Sequence, residues 1–155
     1  TECKNRGINT AIDTAGYDTG SIFADLSDLV DLVLFDLKIM DSEKHKYYTG
    51  VPNEPVLKNL EFLSGKGKDI IIRIPLIPGL TDGENNIGAI GALLASLPGI
   101  RKVSLLPYHG AWVHKSKKLG NAQSHTAWET PSAESIAEIE EHLSSLGLQI
   151  EVGNT

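Results

Sequence analysis

Cysteine, methionine and aromatic residues are scarce in this chain, and its basic side chains are outnumbered by acidic ones. The one cysteine among 155 residues, Cys3, excludes an internal disulfide and any multi-thiolate metal site built from this sequence alone. With 14 basic against 20 acidic residues and a net charge of -6, the chain offers no broad positive field to a phosphate backbone. Nucleic acid is therefore not an expected partner. No apolar run approaches the roughly 20 residues a membrane-spanning helix needs, and no charged-then-apolar leader opens the sequence. No membrane association is expected, and the chain reads as soluble and cytoplasmic. The histidines lack partners at i,i+3 or i,i+4 spacing, which removes the simplest helical metal cage. His45, His114, His125 and His142 read as solvated side chains.

What the chain does have is short apolar runs separated by amphipathic ones. Its length suits one domain spanning 1–155, able to bury roughly 70% of the surface its unfolded form exposes. Runs rich in Ile, Val and Leu predict strands at Ile8–Asp13, Asp31–Leu37, Asp69–Ile77, Lys102–Leu106 and Leu148–Val152. Asn53, with Pro55 following, predicts a helix cap before Val56, Leu57, Leu60 and Leu63. Asp82 predicts another before Ile87, Ile90, Leu94 and Leu97, and Thr130-Pro131 a third before Ile136, Ile139, Leu143 and Leu146. Shorter helical turns are expected after Ser21 and Asp41. Strands alternating with helices imply an α/β fold with a parallel sheet. The stretch from His109 to Thr130 lacks periodicity and carries Trp112 and Trp128, which read as loop anchors.

Ligands of parallel α/β sheets bind beyond the carboxyl ends of the strands. Four successive strand ends here carry polar groups: Asp13-Thr14, then Asp36 and Lys38, then Arg73, then Tyr108-His109. One at a time these have plain explanations, an Asx turn at Asp13 or an ion pair between Asp36 and Lys38. Charge at four ends in a row is harder to attribute to folding, because each burial costs stability unless a partner or ligand compensates. The set suits a zwitterionic small molecule, with cations for its carboxylate and carboxylates for its ammonium.

The segments "TAIDTAGY", "DLVLFDLKIMDSEKHKYYTGV", "IIIRIPLIPGLTD" and "VSLLPYH", in this order, resemble the glycyl-radical-enzyme activating enzymes of the radical S-adenosylmethionine superfamily. The resemblance implies the C-terminal portion of a (β/α)6 barrel. It also implies cofactors: S-adenosylmethionine, a 4Fe-4S cluster held by a C-x3-C-x2-C loop, and a monovalent cation. The cluster reduces the sulfonium to a 5'-deoxyadenosyl radical, which takes hydrogen from a glycine of a partner such as pyruvate formate-lyase, with a flavodoxin or ferredoxin as electron donor. Carried over by motif, Lys38, Arg73 and His109 would touch S-adenosylmethionine and Leu106 would flank its adenosine. Asp13 and Asp36 would hold the cation, aided by Thr14. The cysteine loop and the GGE motif that receives the methionyl amine are absent, and Cys3 alone cannot ligate a cluster. After His109 the chain has Lys115 and Ser116 where the family carries a Lys-Tyr. The expectation is a C-terminal fragment, inactive alone and prone to self-association along an exposed strand edge. Two other readings stand beside it: a non-catalytic α/β binding module, and another branch of the same superfamily.

Overall fold

The structure, a computed structural model, describes residues 2–20, 22–109 and 128–153. The five apolar runs become strands β1 (Ala11–Thr14), β2 (Leu32–Asp36), β3 (Asp69–Leu76), β4 (Lys102–Pro107) and β5 (Gln149–Val152). They form one sheet whose spatial order follows chain order, every neighbouring pair parallel. Around it lie α1 (Glu2–Asn5), α2 (Ile22–Leu29), α3 (Ser42–Thr49), α4 (Glu54–Gly65), α5 (Glu84–Ser96) and α6 (Ala133–Ser145). Sequential strands joined by crossovers of one hand place the connecting helices on the same side of the sheet. The fold is a partial (β/α) barrel.

Burial follows that geometry. On the helical side, Val33 and Phe35 of β2, Ile70, Ile72, Ile74 and Leu76 of β3, and Val103 and Leu105 of β4 are buried. They pack with Val56, Leu60 and Leu63 of α4, Ile87, Ile90 and Leu94 of α5, and Ile139 and Leu143 of α6. Each fully buried Leu, Ile or Phe contributes roughly 1.5–3 kcal/mol. The alternate residues Leu34, Asp36, Ile71, Arg73, Pro75, Ser104 and Leu106 are half-buried on the other face, which in a closed barrel is the interior.

Several ends differ from the sequence-based expectation for local reasons. β1 starts at Ala11 rather than Ile8, because the Thr10 amide donates to the Asp31 side chain at 2.8 Å instead of to a neighbouring strand. β3 stops at Leu76 because the Ile77 amide donates to Thr81 Oγ1 at 2.8 Å. Asn53 makes no side-chain cap for α4. Gly83, not Asp82, occupies the cap position of α5, and Asp82 instead accepts from the Gly79 amide. α6 is capped by Ser132, whose hydroxyl accepts from the Ser135 amide, so it opens past Thr130-Pro131; Leu146, expected inside, is 40% exposed. Asp41 does cap α3, accepting from the Lys44 amide. His45 is not solvated: it is buried, with Nδ1 2.7 Å from the Val51 carbonyl and 3.0 Å from Thr49 Oγ1. Trp112, His114, Lys115, Ser116 and His125, with the rest of 110–127, lie outside the described residues. Trp128 meets Tyr48 edge-on, ring centroids 6.4 Å apart. Among the described residues no helix is long and apolar enough to cross a membrane.

Candidate functional site

Register brings the charges together. Asp36 pairs with Arg73, Arg73 with Ser104 and Ser104 with Glu151, so these four stand in one row across the half-buried face. Asp13 pairs with Leu34 one level below Asp36, and Lys38 lies two residues beyond Asp36 on the same face. Arg73 is the hub. Its Nε donates to Asp36 Oδ1 at 2.8 Å, its Nη1 to Asp13 Oδ2 at 2.8 Å, and its Nη2 reaches both carboxylates. Lys38 Nζ donates to the remaining oxygen, Asp36 Oδ2, at 3.0 Å. Two carboxylates and two cations thus form a charge-balanced quartet at the exits of three adjacent strands.

Burial alone lowers the Arg73 pKa, but the hydrogen bonds it donates to Asp13 and Asp36, with their negative charges, outweigh it and the net shift is upward. A raised cationic pKa adds stability that is complete below the unfolded value and fades only as pH climbs through the folded one. For a guanidinium that window is strongly alkaline, so the Arg73 contribution is constant across working pH.

The other expected site residues are placed as follows. Thr14 pairs with the core residue Phe35 and so faces the helical side, away from Asp13; its Oγ1 accepts from the Gly16 amide at 2.9 Å. Leu106 pairs with Pro75 on the quartet's face, half-buried. His109, just past β4, is exposed.

Three asparagines, two on helices and one just before a helix, none of them anticipated as site residues, hold the strand exits from behind. Asn59 of α4 donates to the Gly16 and Asp18 carbonyls at 2.8 and 3.0 Å. Asn53, just before α4, donates to the carbonyls of Ile39 and Met40 at 3.0 and 2.7 Å. Asn86 of α5 donates to Lys38 and Thr81 carbonyls at 2.8 Å each and accepts from the Met40 amide at 2.8 Å. The signal was present in the sequence: Asn59 falls at i+3 from Val56 and i-4 from Leu63, a polar residue on an apolar helix face.

The β1 exit is also pinned by Asp18, whose carboxylate accepts from the Phe23 and Gly20 amides at 2.9 and 3.0 Å. These bonds, Phe23 first, pull its pKa below the ordinary 3.8. A depressed carboxylate pKa adds stability above the unfolded value that is lost as pH falls through the folded one. Asp18→Asn is therefore expected to lower the urea midpoint at neutral pH and to flatten its decline below pH about 4. A variant whose acid limb retains the full wild-type slope would contradict this.

No protein-family model matches the chain. It is 36% identical over 152 residues to the trans-4-hydroxy-L-proline dehydratase activating enzyme of Clostridioides difficile, covering 97% of this chain and 50% of that protein. It is 38% identical over 132 residues to the choline trimethylamine-lyase activating enzyme of Oleidesulfovibrio alaskensis, covering 83% of this chain and 40% of that protein. The crystal structure of a domain of pyruvate-formate lyase-activating enzyme from Bacteroides vulgatus superposes with a TM-score of 0.79 at 33% identity, covering 98% of this chain and 85% of that one. The chain belongs to the glycyl-radical-enzyme activating enzymes. It spans about half the length of the curated relatives it matches.

Within this activating-enzyme chain the described residues provide no group of three or more His, Cys, Asp or Glu fit for a metal ion. Cys3 is exposed on α1, which leads into the amino end of β1, whereas the quartet lies at the strands' carboxyl ends. An iron-sulfur cluster does not fit these residues. A cation between Asp13 and Asp36 does not fit either while Arg73 and Lys38 engage all four carboxylate oxygens. For S-adenosylmethionine the donor set provides two cations, Lys38 and Arg73, suited to a carboxylate, with half-buried Pro75 and Leu106 alongside for an apolar ring.

Proposed function

We propose that this chain is the C-terminal part of a radical S-adenosylmethionine activating enzyme, that it provides half of the S-adenosylmethionine pocket, and that the whole protein installs a glycyl radical on a partner enzyme. The observation that carries the reading is the Asp13–Arg73–Asp36–Lys38 quartet on the inner face of a partial barrel of this family. When bound, S-adenosylmethionine would supply the hydrogen-abstracting radical, with a flavodoxin or ferredoxin as electron donor and the cluster held elsewhere in the longer cytoplasmic protein. In this chain Lys38 and Arg73 bind and orient the methionyl carboxylate. Arg73 can turn from the more exposed Asp13 while keeping Asp36. With Arg73 turned from Asp13 and Lys38 drawn from Asp36 Oδ2 to the methionyl carboxylate, Asp13 and Asp36 would each have an oxygen open to a monovalent cation, next to the Thr14 segment. Leu106 covers the adenosine, and His109 at the β4 exit reaches it from the rim. Without the cluster the chain alone is inactive.

The test is calorimetric titration of S-adenosylmethionine into the full-length protein and its Lys38→Ala and Asp36→Ala variants. Hydrogen bonds to charged groups contribute roughly 1.5–3 kcal/mol, so affinity should fall about 10- to 100-fold while thermal unfolding remains cooperative. Unchanged affinity in both variants, or in Lys38→Ala alone, would count against the assignment.

A further inference from the structure

The last ladder bond on the β2 side runs from the Leu37 amide to the Arg73 carbonyl, at 2.9 Å. The chain then continues through Lys38, Ile39 and Met40 outside regular sheet, yet its polar backbone groups still need partners. Two side chains supply partners for the three carbonyls and for the Met40 amide. The carbonyls of Ile39 and Met40 are held by Asn53, which is 3% exposed; the Lys38 carbonyl and the Met40 amide are held by Asn86. Asn86 also holds the Thr81 carbonyl. The Thr81 hydroxyl in turn donates to the Pro75 carbonyl at 2.5 Å, two residues along β3 from Arg73. One amide group therefore ties the exit that carries Lys38 to the turn that follows Arg73.

We infer that Asn86, seconded by Asn53, is a positioning residue for S-adenosylmethionine binding: it sets the backbone from which Lys38 projects and its spacing from Arg73. The inference rests on the quartet being the S-adenosylmethionine-binding group. Among the described residues Asn86 hydrogen-bonds to backbone groups alone and to no quartet side chain. Its amide offers two donors and an acceptor in one plane, and all three contacts are used. Leu37 and Ile39, buried at 2% and 4% exposure, anchor the same segment apolarly, so removing Asn86 loosens the exit without unthreading the strand.

A double-mutant cycle in the full-length protein separates positioning from general stability. S-adenosylmethionine is titrated calorimetrically into wild type, Asn86→Ala, Lys38→Ala and the double variant. Asn86→Ala should weaken binding about tenfold and Lys38→Ala by at least as much. The double variant should match Lys38→Ala within about twofold, because an effect exerted through Lys38 vanishes once Lys38 is gone. Fully additive losses, or a folded Asn86→Ala protein with wild-type affinity, overturn the positioning role while leaving the pocket assignment standing. Wild-type affinity in Lys38→Ala overturns the pocket assignment and this inference together. If Asn86→Ala does not fold, hydrogen exchange in the wild type decides. The Met40 amide should be protected in the ligand-free protein, and exchange at an unprotected rate overturns the inference.

Discussion

A full-length protein carrying Arg73→Met should lose about 2 kcal/mol of unfolding stability and bind S-adenosylmethionine roughly 100-fold more weakly. Arg73 fills the space between two carboxylates, and its side chain is 20% exposed, as is that of Asp36. Stripping one partner from a buried ion pair typically costs about 3–5 kcal/mol. The figure here is smaller because the Asp13 side chain is 62% exposed and rehydrates when released. Lys38 still neutralises Asp36, which also limits the loss. Arg73→Lys makes a useful second variant: a single ammonium cannot reproduce the planar fork that spans both acids, so stability and affinity should fall between Met and wild type. Urea unfolding and calorimetry read the two effects separately. Native-like stability and affinity in Arg73→Met would remove the hub from the site.

Among the described glycines, Gly16 should be the most damaging to replace with Ala, at about 3 kcal/mol. Gly16 has φ +71, a left-handed conformation that costs a residue with a Cβ about 1–2 kcal/mol, and the added methyl would overlap the distal ring atoms of Phe35. That ring cannot yield cheaply. It is fully buried and stands edge-on to Phe23, centroids 6.3 Å apart, so overpacking adds about 1–3 kcal/mol. Gly7→Ala provides the contrast, since Gly7 has φ +66 with no atom within 4 Å of the added carbon; only the backbone term of about 1 kcal/mol should appear. Equal urea midpoints for the two variants would refute the steric argument. Gly16 follows Asp13 by three residues, so the same substitution should also displace Asp13 from Arg73 and weaken ligand binding.

The layer arrangement was legible because its signals are periodic. Ile, Val and Leu runs of strand length, spaced by amphipathic helices, leave few options besides a parallel sheet covered by helices, whereas the partial barrel followed from the family resemblance and not from periodicity. Charge at consecutive strand ends likewise pointed to Asp13, Asp36, Lys38 and Arg73, which meet in space. What stayed hidden depends on which partner a versatile group selects. Asn53 has the residue type and the following Pro55 of a helix cap, but turns its amide to the Ile39 and Met40 carbonyls. Asp82 chose the Gly79 amide over the helix end. His45 has nothing in its local sequence to mark it as buried; its environment arises from the return of the chain at Thr49 and Val51. Nor could spacing reveal that Arg73 bridges both acids, since that depends on the register between β2 and β3.

Because spatial order in the sheet repeats chain order, β2 can form its ladder with β1, and each later strand with the one before it, without waiting for any segment still to be synthesised. Every pairing closes one crossover and no more, so no step requires two distant parts of the sheet to meet. Growth by single-strand addition from the ribosome is the natural assembly route for this topology, with the arginine of β3 meeting two aspartates that are already waiting.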